Sequence, residues 1–145
     1  MESLALLVGH LVGDFIFQVD FIAKYKNSPK PTFEEMCDCK GDEAAIAAAE
    51  RYSLRRCNAI CTLHCALYGT ALWLCAGIYF PLWLFAAAAV LHWPVDRFRL
   101  ASKWMHVVGQ AYFATGACAP WSVIVVDNTI HLVVLLILGR LAAVL

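Results

Sequence analysis

Residues 121–145, WSVIVVDNTIHLVVLLILGRLAAVL, form an apolar run interrupted by an aspartate and a histidine four positions apart. A helix of about 20 apolar residues crosses a bilayer core, and an ionisable group inside such a run costs free energy unless it faces protein or water. Asp127 and His131 are therefore expected to point into a bundle. Working outward, apolar stretches at about 4–23, 58–80 and 82–100 have the same character, which predicts an all-α integral membrane bundle of four spans in a single domain, 1–145. The polar stretch at about 24–57 is an insert with short helices. Thr32 to Glu35 has the pattern of a capping box, and Asp42 is placed to cap a helix that runs on into the second span.

The bulk properties agree. The chain has 145 residues, 62% of them apolar, and no net formal charge; its mean hydropathy is +0.69. A soluble domain of this size is nearer to half apolar. No stripe of Lys and Arg interleaved with aromatics is present, which argues against nucleic acid as a partner; the lipid bilayer is the expected one, and oligomeric state is open. The first span has no basic segment before it, so it reads as part of the mature fold rather than a cleaved signal. Ten basic residues fall in the two long connections and one, Arg140, on the other side. By the positive-inside rule the connections face the cytoplasm and both termini the opposite side.

Seven cysteines occur. Cys57, Cys61 and Cys65 recur on one helix face and are expected to pack as small apolar groups, and the odd count suits a reducing compartment. Cys37 and Cys39 form a C-x-C that could bind metal, although the spacing is not that of a zinc finger. His106, beside Trp104, reads as a surface residue.

Three of the four histidines within spans have an aspartate four residues away: His10 with Asp14, His92 with Asp96, and His131 with Asp127. Residues four apart share one helix face, so each pair can aim two ligands at one point, and His64 in the second span adds a seventh. One such pair alone reads as a local hydrogen bond. Three at one depth, estimated from a rise of about 1.5 Å per residue, point to a divalent metal. The imidazole and carboxylate mixture suits Zn, Mn or Fe better than Mg, and the number of ligands suits one ion with orienting partners or two ions. Gln18 and Asn128 are placed to orient ligands or to bond between helices. A metal site of this kind does hydrolysis most simply, with Asp14, Asp96 or Asp127 as ligand or base and Arg97 or Arg99 stabilising negative charge. Two alternatives are an ion or proton pathway, which needs polar groups strung across the bilayer, and a haem carrier, which gives no reason for the aspartates. The spans are expected to associate through Gly9, Gly13, Ala76 and the alanines 86–89, so that loss of a His/Asp pair would leave the bundle folded.

The strings GHLVGDFIFQVDFIA, CTLHCALYG, HWPVDRFRL and DNTIHLVVLL resemble the motif blocks of small bacterial and phage membrane proteins grouped as a domain of unknown function. These are in turn similar to proteins labelled membrane-bound metal-dependent hydrolases. The resemblance covers all four spans and implies a site made of His10, Asp14, Gln18, His64, His92, Asp96, Asp127 and His131. The bacterial and phage setting implies a bacterial inner membrane; the substrate expected of a hydrolase there is membrane-associated and anionic, for instance a lipid or lipid-linked phosphate or ester. Arg99 stands where a lysine is common and Asn128 where a glutamine is common, and the insert with Cys37 and Cys39 has no counterpart.

Overall fold

The computed structural model describes residues 1–145 and is all-helical, without strands. Eight α-helices follow in order: α1 (Glu2–Leu11), α2 (Asp20–Tyr25), α3 (Phe33–Asp38), α4 (Glu43–Ala76), α5 (Leu82–Arg97), α6 (Leu100–Val107), α7 (Ala111–Thr115) and α8 (Trp121–Ala142). Between α1 and α2 lies a π-helical turn, Val12–Ile16.

The insert folds as its local chemistry dictates. Thr32 accepts from the Glu35 backbone N–H while Glu35 reaches back to the Thr32 N–H, closing the expected capping box on α3. Arg56 of α4 pairs with the same Glu35 carboxylate, which holds that carboxyl down at about 2. The Asp42 side chain accepts from the Ala44 N–H and starts α4. That helix runs for 34 residues without a break, about 51 Å at 1.5 Å per residue. It joins the insert to the predicted second span in one rigid rod.

The first apolar stretch is not the single helix that its hydropathy suggests. It passes from α1 into the π turn, leaves helical hydrogen bonding around residues 17–19, and restarts at Asp20. The third stretch ends sooner than expected, at Arg97, because Arg99 adopts a left-handed conformation (φ 53°) before α6 begins. Pro94 lies inside α5, one turn from the helix end. Two helices, α4 and α8, are long and apolar enough to cross a membrane.

The core is formed where α1, α4, α5 and α8 meet, around Leu6, Tyr68, Leu72, Leu84, Phe85 and Leu135. Glycines let α1 lie directly on α4. A Cβ at Gly9 would come within 2.9 Å of the Leu72 Cα, and one at Gly13 within 2.7 Å of the Tyr68 ring. The first is a clash with backbone, which cannot swing aside. Gly9→Ala is accordingly expected to cost about 1–3 kcal/mol, the usual range for overpacking. Thermal unfolding of the detergent-solubilised protein would register it, and an unchanged midpoint would rule out the tight α1–α4 contact. Cys57, Cys61 and Cys65 are all buried along α4. The Cys57 thiol donates to the Lys26 carbonyl at 3.3 Å, pinning the loop after α2 against α4.

Candidate metal centre

Each predicted His–Asp pair is in contact. His10 Nδ1 lies 3.4 Å from Asp14, His92 Nε2 lies 3.1 Å from Asp96, and His131 Nε2 lies 3.5 Å from Asp127. The helical spacing explains this, since residues one turn apart share a face. More informative is what the bundle does with the pairs. His64 Nε2, His92 Nε2 and Asp96 Oδ2 form a triangle with every edge at 3.1 Å. Asp14 Oδ1 stands 3.3 Å from both of those imidazole nitrogens, making a second triangle on the same edge. Neighbouring ligands of a tetrahedral ion with bonds of about 2.0–2.1 Å are separated by about 3.3 Å, so these donors already hold the spacing of a first coordination shell.

Asp96 faces two ways. Its Oδ2 belongs to the triangles, while Oδ1 lies 3.5 Å from His131 Nε2, which is also 3.5 Å from Asp127 Oδ2. Three groups could thus hold an ion: Asp14 with His92 and His131, His64 with His92 and Asp96, and Asp96 with Asp127 and His131. All their members are buried except Asp127, whose side chain is 26% exposed. Asp14 Oδ1 and His131 Nε2, both turned toward the cluster, are buried without a hydrogen-bond partner. Donors left in that state cost free energy unless a cation or a proton donor satisfies them.

His10 takes a different part. Its Nδ1 meets the Tyr68 hydroxyl at 3.2 Å and its Nε2 meets Asn128 Oδ1 at 2.9 Å. With both ring nitrogens engaged, it stands outside the three ligand groups, its Nδ1 3.4 Å from Asp14. Asn128 thus bonds across helices to a histidine, and its amide is fixed in turn by donating to the Ile124 carbonyl at 2.8 Å. Gln18 lies in the unwound segment with its carbonyl oxygen buried and unpartnered. The rings also stack: His92 lies between Tyr68, at 4.0 Å, and His131, at 3.8 Å. His64 and His92 keep buried Nδ1 atoms without partners, so only the contacts at Nε2 bear on their tautomers. Cys37 is exposed and the Cys39 thiol donates to the Glu35 carbonyl, so the C-x-C stays outside the cluster. His106 is exposed.

One member was not legible as such. Lys26 counts among the basic residues of the first connection, where it reads as a topology signal. The structure buries it to 9% exposure, with Nζ 2.6 Å from Asp96 Oδ2 and 3.2 Å from His64 Nε2. The short α2, restarting after the break at 17–19, returns the chain so that this side chain enters from the insert side. Three carboxylates and one ammonium thus meet at the cluster. Tyr68 is the other residue missed, because an aromatic at helical spacing reads first as core.

A cleft of about 580 Å³ reaches the cluster past Gln18, Lys26, Asn27, Asp96, Arg99 and Asp127. Asp127 and Arg99 therefore share one opening. Comparison with protein-family models, curated proteins and solved structures returned no match.

Proposed function

We propose that the chain is an integral membrane metalloprotein, a hydrolase of a membrane-associated anionic substrate. The observation that carries this reading is the two-sided placement of Asp96 between the His64/His92 and the Asp127/His131 groups. A carboxylate so placed can bridge two ions, and paired ions are a recurring arrangement for hydrolytic displacement. Mixed imidazole and carboxylate donors without thiolate favour Zn, Mn or Fe over Mg. A divalent ion there would supply Lewis acidity and make a bound water more acidic. The chain's own residues do the rest: Asp127, at the cleft mouth, is the carboxylate best placed to take a proton from an entering water, and Arg99 is placed to meet negative charge on the substrate. Asp14 and Asp96, deeper in, act as ligands.

Membrane insertion over four spans rests on the outward faces. Leu4, Leu7, Val8 and Leu11 on α1, and Val125, Val133, Leu136 and Ile137 on α8, are exposed, an apolar surface too large for water. α4 and α8 have the length to cross alone; α5, with 16 residues, and the broken first stretch cross as partners packed against them. The proposed orientation puts the connections in the cytoplasm and the termini on the opposite side of a bacterial inner membrane.

A second reading has its own observation. The Lys26–Asp96 pair at 2.6 Å makes Lys26 the cation of a metal-free polar layer with a structural role. Elemental analysis of protein purified without chelators, before and after incubation with Zn, Mn or Fe, separates the two. The proposal expects one or two ions per chain and metal-dependent turnover within a panel of phosphate and acyl esters. Absence of stoichiometric metal after reconstitution establishes the second reading, and metal without turnover leaves a structural metal centre.

A further inference from the structure

A second cleft, of about 600 Å³, opens beside the first and shares Asn27 and Arg99 with it. Six cationic side chains line it: Lys24, Lys30, Arg56, Arg97, Arg99 and Lys103. No carboxylate does. They come from α2 and the loop after it, from α4, and from the α5–α6 junction, segments far apart in sequence. Only Arg56 has an acidic partner, Glu35. The other five approach no carboxylate within ion-pair distance, although Asp and Glu equal Lys and Arg in number across the chain.

The cleft is also built rather than merely charged. Arg97 is buried, and its Nε donates to Asn58 Oδ1 at 2.6 Å. That bond holds the guanidinium in place and leaves its terminal amino groups for a ligand. Arg56 lies over the Tyr25 ring at 4.3 Å, and Arg97 and Lys103 flank Phe98 at 5.6 and 5.8 Å. These aromatics place the cations side by side despite their mutual repulsion. A single carboxylate would leave most of five cations unpaired, whereas a phosphate monoester carries close to two charges and three acceptor oxygens that match guanidinium forks. The volume falls within the range of small-ligand sites and is far more than one phosphate fills.

We propose that this cleft binds the phosphoryl head group of the substrate, with Arg99 at the junction handing the scissile end to the His/Asp cluster. The assignment names the substrate class of the hydrolase reading and rests on that reading for its purpose; the binding itself does not need the metal.

The test therefore uses full-length, chelator-treated protein in dodecyl maltoside, titrated calorimetrically with dihexanoyl phosphatidic acid, dihexanoyl phosphatidylcholine and inorganic phosphate. Phosphatidic acid is expected to bind at least about tenfold more tightly than phosphatidylcholine, in keeping with the strength of charge-assisted hydrogen bonds. Arg99→Gln and Lys30→Gln, both at exposed positions, are each expected to weaken it about tenfold while the protein stays monodisperse. If inorganic phosphate displaces phosphatidic acid at comparable concentration, the ligand is a free phosphoryl compound; if it does not, the ligand is a phospholipid. Equal binding of the two lipids, or phosphatidic acid binding that neither variant changes, overturns the assignment. Binding in protein that never takes up metal would leave the phosphoryl site standing and remove the hydrolase reading instead.

Discussion

Replacing Lys26 with methionine is expected to raise the affinity for a divalent metal by at least about tenfold, or about 1.4 kcal/mol. The ammonium and an incoming ion contend for the same lone pairs, Asp96 Oδ2 and His64 Nε2, and repel each other in a medium that screens poorly. Methionine keeps the length and apolar stem of the lysine while removing the competing charge. Metal titration of wild type and Lys26→Met, alongside their thermal unfolding without metal, decides the matter. In the metal-free reading the same substitution strands Asp96, so stability falls by about 3–5 kcal/mol and no metal fills the gap. Only that second outcome removes the proposal.

Asp96→Asn is expected to have the larger effect on metal. It neutralises the one carboxylate that touches both ligand groups, so bound metal should fall below one ion per chain and any turnover with it. Stability is expected to fall too, by about 3–5 kcal/mol, since Lys26 is left as a buried cation without its partner. This revises the expectation that the His/Asp layer can be removed without cost to folding. The pair Lys26→Met/Asp96→Asn tests the correction as a double-mutant cycle. The combined variant should recover most of the lost stability and none of the metal. Additive stability losses would show that the 2.6 Å contact carries no coupling.

What the sequence shows of this site is what a helix makes periodic. His10–Asp14, His92–Asp96 and Asp127–His131 are visible because four residues make about one turn, and their contacts follow from that spacing alone. Their common depth is also readable from the rise per residue, and in the structure Asp14, His64, His92 and Asp96 meet while His10 stands apart. The caps at Thr32, Glu35 and Asp42 were equally legible, being chemistry among neighbours. Lys26 was not, because its partners lie 38 and 70 positions away and nothing periodic links them. The separation of His10 from the ligand groups depends on Tyr68 and Asn128 arriving from two other helices. Nor does hydropathy reveal that the first stretch breaks, since its apolar content is the same whether the backbone is regular or not.

The π turn at Val12–Ile16 gives the cluster a dependence on chain length that no side chain reveals. A widened turn holds one residue more than a regular helix needs, and each residue turns the chain by about 100°. Removing Val12 or Gly13 from this stretch would let the turn close up and leave His10 and Asp14 three positions apart instead of four. Asp14 would then turn by up to about 100° relative to His10, although every donor would still be encoded. The aim of the first helix is thus written in the spacing of its residues as much as in their identities, and a change of frame length there would be silent in composition yet decisive in geometry.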